Sequence, residues 1–251
     1  MQNNSNQLKK LHITQRDMLY FTVLLKLQET SIHAAEIHRF VSESFKKDNL
    51  SPNRSKAYVY NCMKEMERLG WITHKVEGKK KIFSIRREGE DTLTSFKDMY
   101  LPLLLHIDKA VSQMMYNVSN KAFHDVDWSL TDKEKQYLSK ILNVKAIIQW
   151  YILHRLHEQE GLHGGELYRE MDQRYAWINS HGYFYQVLRD LDHEGFVTSQ
   201  WANEETRSKR TYHLTDAGKR QYVELTEQVR FHLHELRQFL RTMIQRFDHV
   251  S

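Results

Sequence analysis

Two stretches of this chain lie on each other without a gap, at a constant offset of 125 residues that takes Ser55 to Ser180. Each opens on Ser and carries a Tyr-x-Tyr pair (Tyr58 and Tyr60; Tyr183 and Tyr185). Each reaches a Gly (Gly70; Gly195), follows it with an aromatic (Trp71; Phe196) and closes on Thr (Thr73; Thr198). With 9 glycines in 251 residues, two corresponding glycine pairs are informative: Gly70 with Gly195, and Gly89 with Gly218 beyond the longer second wing. A repeat on this scale implies that one supersecondary unit is built twice. In the second copy Phe184, Tyr185, Leu188 and Leu191 recur at helical spacing and mark a core face. The opposite face carries Ser180, Tyr183, Gln186 and Arg189. Gly195 can stop this helix with a positive φ, and Phe196-Val197 begin an extended segment.

The chain in order gives the same elements twice. Residues 1–12 read as a frayed tail. A helix is expected from Thr14 to Gln28, opened by a capping-box pattern of Thr14 with Asp17. A second is expected from Ser31 or Ile32 to Ser44, with Ala35, Ile37, Phe40 and Val41 inward, and a third from Asn53 or Ser55 to Gly70. Trp71–Val76 and Ile82–Arg87 then read as strands joined by Glu77-Gly78-Lys79-Lys80-Lys81. Helix, helix, helix, hairpin is the order of a winged helix-turn-helix, whose third helix enters the major groove. A long helix over 88–118 follows, with a seam from Leu93 to Val118 and a kink expected at Pro102.

Residues 119–131 read as a linker, and Thr131 caps the next helix. The second copy runs from a helix at Val144–Leu156 through a turn at Gly161–Gly165 to a helix at Glu166–Arg174. The helix of the repeat follows, then wing strands at Phe196–Trp201 and Thr211–Leu214, and Thr215-Asp216 open a long helix to Phe247. The expectation is a mainly α chain with short β-hairpin wings: two tandem winged helix-turn-helix domains, over 13–118 and 132–251, each followed by a long helix.

Composition narrows the function. The formal charge of +5, from 37 basic and 32 acidic residues, favours a nucleic-acid partner over an acidic one. A single cysteine, Cys62, excludes a disulfide framework and fits a reducing compartment. The polar N-terminus has no signal-peptide pattern, and no apolar run is of membrane-spanning length. A cytoplasmic protein without membrane contact is expected. No phosphate-binding glycine loop, nucleophile elbow or paired Cys/His arrangement is present, so the chain is not read as an enzyme and no cofactor is expected.

Gly182, Tyr185, Leu188, Leu191, Gly195 and Val197, followed by Arg210, Tyr212, Leu214, Thr215 and Gly218, resemble the PadR family of bacterial transcription regulators. The resemblance covers roughly residues 144–247. The first copy matches more weakly through Tyr60, Met63, Met66, Gly70, Ile72, Phe83, Ile85 and Gly89. Gln186 and Asn61 stand where the family commonly has Pro, and two winged helices stand in one chain where an ordinary member has one. The resemblance implies a repressor-like, DNA-binding regulator released by a small-molecule effector.

The candidate DNA-binding residues follow from the two third helices and the wings. In the first copy they are Asn53, Arg54, Ser55, Lys56, Tyr58, Asn61 and Lys64, with Lys79, Lys80 and Lys81. In the second they are Asn179, Ser180, His181, Tyr183, Gln186 and Arg189, with Arg207, Lys209 and Arg210. Hydroxyl, amide and guanidinium groups can read base edges, and the wing cations can hold phosphate. Against this stands an ordinary solvated helix face; Glu65 and Asp190 share part of it and would repel phosphate. Helices 88–118 and 216–247 either form a homodimer or cover each other within one chain. Tyr100, Tyr116, Phe123, Trp128, Trp150 and Trp177 are a candidate ligand lining, more simply read as core. His154, His157 and His163 lack partners at metal-ligand spacing, and Cys62 reads as a core filler. Two other functions stay open: a tandem winged-helix replication initiator on origin repeats, and a protein-interaction module.

Overall fold

A computed structural model describes residues 4–50, 55–120, 130–175, 180–201 and 209–249. It divides into two units: Met1–Asp108 with Gln238–Ser251, and Lys109–Arg237. Among the described residues no helix is long and apolar enough to cross a membrane.

The first unit begins with α1 (Ser5–Lys10), where a frayed tail was expected. Leu8, Leu11 and Ile13 are buried here, and the Asn4 amide donates to the Asn49 carbonyl. Helix α2 (Gln15–Glu29) starts at the expected capping box, the Thr14 hydroxyl accepting from the Asp17 amide. Ile32-His33 are not helical: they form β1, antiparallel to the strand that holds Phe83. Helix α3 (Ala34–Lys47) follows, with Ile37, Val41 and Phe45 buried and Ala35 exposed, contrary to expectation. Then come α4 (Lys56–Arg68), β2 (Ile72–Glu77) and β3 (Lys80–Ile85). The hairpin is tighter than expected. Glu77 pairs with Lys80, so Lys80 and Lys81 belong to the strand, and Gly78 takes the turn at φ +62°. Helix α5 (Arg87–Asn120) runs on with Pro102 inside it.

The second unit has the same order: α6 (Asp132–Ile141), α7 (Val144–Glu158), β4 (Leu162–His163), α8 (Gly164–Arg174), α9 (His181–His193), β5 (Val197–Trp201), β6 (Arg210–Leu214) and α10 (Asp216–Asp248). The expected turn at Gly161–Gly165 is in part strand, Leu162 pairing with Tyr212 and His163 with Thr211. Each sheet has three strands with the last hairpin strand in the middle, β1-β3-β2 and β4-β6-β5. These small antiparallel sheets in a mainly helical chain fit an α-rich winged-helix fold.

The seam of α10 is buried within one chain: Tyr222, Leu225, Val229, Leu233, Leu236, Leu240, Met243 and Phe247 are each nearly inaccessible. In α5, Leu93, Ile107, Val111, Met114 and Val118 are buried, and Phe96, Tyr100 and Leu103 are half-buried. In the first unit the Phe247 ring lies 4.5 Å from Phe21 and 5.6 Å from Tyr100. In the second, Asn117 near the end of α5 donates to the Tyr175 hydroxyl at 3.2 Å, and burial pushes that phenol up to about 12.

Candidate nucleic-acid interface

Helix α9 is built to present one face. Its core side, Phe184, Val187, Leu188 and Leu191, is buried, while Ser180, His181, Tyr183, Gln186 and Arg189 are exposed. The Ser180 hydroxyl accepts from the Tyr183 amide at 3.2 Å, so its structural role is the helix N-cap. His181 lies against the rings of Tyr168 and Tyr185, at 4.7 and 4.6 Å. Gly195 closes the helix at φ +75° and sends the chain into β5.

The wing is fastened to this helix by one carboxylate. Asp192 accepts from the Ser199 hydroxyl at 2.7 Å and pairs with Arg210 at 3.1 Å. Arg210 also lies over the Trp201 ring, 5.3 Å from its centroid. The angle between helix and wing is thereby tied down by contacts from both wing strands.

Helix α4 repeats these contacts with different residues. Ser55 caps it by accepting from the Tyr58 amide, and Val59, Cys62, Met63 and Met66 form its buried side. Lys56, Asn61 and Lys64 are exposed, and Tyr58 is half-buried. Glu67, at the position of Asp192, hydrogen-bonds His74, at the position of Ser199. Lys79, Lys80 and Lys81 are exposed along the hairpin.

Glu65 and Asp190, which threatened to repel phosphate, are both paired. Arg16 of α2 meets Glu65, and Lys145 of α7 meets Asp190 at 3.2 Å. In each unit a cation on the helix before the two-residue strand thus neutralises the acid on α4 or α9. Pairs this exposed contribute little to stability, but they remove a local negative field from the presented face.

Asn53, Arg54, Asn179 and Arg207 lie outside the described residues, as do Phe123, Trp128 and Trp177. The remaining candidate ligand-lining aromatics do not share a surface role: Trp150 is fully buried against His154, Tyr100 is half-buried and Tyr116 is exposed. His154 contacts the Tyr222 hydroxyl through Nδ1 at 3.0 Å. Among the described residues no cluster of three or more His, Cys, Asp or Glu could hold a metal.

Sequence reasoning missed Arg169 and Trp201. Both line a cavity of about 650 Å³ between the start of α8, helix α9 and the wing, together with Tyr185, Arg189, Lys209 and Arg210. A single arginine on a solvated helix turn gave no signal, although Arg39 stands at the matching place in the first unit.

The family model described as "Transcriptional regulator PadR-like family" matches residues 152–224, which hold the C-terminal half of α7, all of α8 and α9, the wing and the start of α10. This supports a PadR-like winged-helix regulator in the second unit. Comparison with curated proteins found no match.

Proposed function

We propose that this chain is a sequence-specific, duplex DNA-binding transcription regulator of repressor type that carries two winged helices. Helix α9 would enter the major groove with Tyr183, Gln186 and Arg189, while Lys209 and Arg210 hold the backbone. Helix α4 would act likewise through Tyr58, Asn61 and Lys64, with Lys79, Lys80 and Lys81 on its wing. The observation that carries this reading is the presented face of α9. Its polar residues are exposed opposite a fully buried side and its wing is braced, both within the stretch that resembles PadR-like regulators, and its acid is neutralised by Lys145 just before that stretch.

Burial of the α10 seam within one chain supports a chain that brings both winged helices itself, rather than one assembled through that seam. The reading is tested by fluorescence anisotropy of the full chain on an enriched duplex and on a scrambled one, across a salt series. Specific readout gives at least about a thousandfold preference for the enriched duplex near physiological salt, the lower end of the range of specific binders. Equal affinity for both, with a steep salt slope, would leave only phosphate attraction.

A further inference from the structure

The cavity beside α9 is larger than a backbone phosphate requires, and basic side chains crowd its wall. Arg169, Arg189 and Lys209 are exposed, and among the described residues no ion pair engages any of the three. Arg210 spends one guanidinium nitrogen on Asp192 and also hydrogen-bonds Tyr212, while among the described residues its buried Nε has no hydrogen-bond partner. Among the described residues the one carboxylate on the wall, Glu166, faces its own helix start and accepts from the His163 amide at 3.4 Å. Concentrated positive charge in a recess with low-dielectric walls attracts an anion. Flat surfaces complete the lining: Trp201, 40 % exposed, and Tyr185 at the edge of α9. A volume of about 650 Å³ is that of a small-molecule site.

We propose that this cleft is an effector site for a phosphate ester joined to a planar ring, a ligand of the nucleotide class, and that its occupant competes with DNA. The phosphate would lie between Arg169, Arg189 and Arg210. The ring would lie on Trp201, as bases stack on exposed aromatics. Competition follows from shared groups, because Arg189 and Lys209 also belong to the proposed DNA-facing surface. This last step rests on the DNA-binding reading; occupation of the cleft does not.

The test uses the full chain without DNA first. The four nucleoside 5′-monophosphates, inorganic phosphate and adenosine are titrated by calorimetry and by tryptophan fluorescence. At least one monophosphate should bind at least tenfold tighter than inorganic phosphate and than adenosine, a difference of about 1.4 kcal/mol. Arg169→Gln should weaken it at least tenfold, Arg169→Lys should restore part of the loss, and Trp201→Phe should abolish the fluorescence change. Protection of Trp201 from acrylamide quenching by the ligand gives a readout in the unsubstituted protein, should a variant fold poorly.

Saturating monophosphate should then weaken binding of the enriched duplex at least tenfold. The proposal is overturned if no monophosphate exceeds inorganic phosphate, which would leave a bound duplex's own phosphate as the occupant, or if Arg169→Gln and Trp201→Phe bind like the parent. Nucleotide binding with unchanged DNA affinity overturns the competition. Nucleotide binding in a chain that binds no DNA would instead strike the DNA reading and leave the site standing.

Discussion

Arg246, in the last turns of α10, forms a buried ion pair with Asp48, which caps the end of α3. The Arg246 side chain is 11 % exposed and that of Asp48 7 %, and a second guanidinium nitrogen donates to the Thr22 hydroxyl at 2.6 Å. The far end of the chain thereby closes the core of the first unit. Burial dominates both ionisations: it raises the Asp48 carboxyl and lowers the Arg246 guanidinium, and their mutual attraction only partly offsets this.

Arg246→Met should therefore destabilise the first unit by about 3 kcal/mol near neutral pH, because it leaves the Asp48 carboxylate buried and uncompensated. The double variant Asp48→Leu/Arg246→Met should recover most of that loss. Urea denaturation followed by circular dichroism measures both, and a double variant as unstable as the single one would contradict the account.

The same carboxylate sets a pH dependence. Its folded pKa is raised above the unfolded value, so the folded state binds more protons, and stability falls as pH rises through the window just above the ordinary aspartate range. Losing the arginine removes the lowering influence on Asp48, so Arg246→Met should regain stability on acidification more steeply than the parent. Denaturation midpoints between about pH 4 and 7 test this; parallel curves would contradict it.

Gly89 and Gly218 mark the same joint in the two units. A Cβ at Gly218 would collide with the Phe196 carbonyl oxygen and come within 2.7 Å of Leu214 Cδ1; at Gly89 it would collide with the Trp71 carbonyl oxygen. The start of each long helix is seated directly on backbone where the wing begins. Gly218→Ala should cost about 2 kcal/mol or more, as overpacking does, and lower the melting temperature by several degrees. An unchanged melt would show that the joint yields freely.

Tyr183→Ala and Gln186→Ala should each weaken the enriched duplex by about 1–3 kcal/mol while leaving the scrambled one nearly unaffected, since base contacts specify. Lys209→Ala should weaken both duplexes alike and reduce the salt slope by about one. Anisotropy titrations over a salt series separate the two patterns.

Much of this was legible in the sequence because it rests on local chemistry. Ser55, Ser180, Thr14 and Thr131 cap helices where their patterns predict, and Gly70 and Gly195 take the positive φ that ends theirs. Strands β1 and β4 were not legible: two residues carry no periodicity, and only the partner strand makes them extended. Helix α1 was missed because its one apolar residue, Leu8, cannot mark a stripe. The pairings of Glu65 with Arg16 and Asp190 with Lys145, the cleft around Arg169, and the closure by Arg246 all join residues far apart in the chain, which spacing does not encode.

Selection of bound sites from random duplex DNA by the purified full chain tests the central claim most directly. The account predicts an enriched motif whose recovery is lost when Tyr183 and Gln186 are both replaced by alanine. Failure to enrich any sequence, with only weak and salt-sensitive binding, would contradict it.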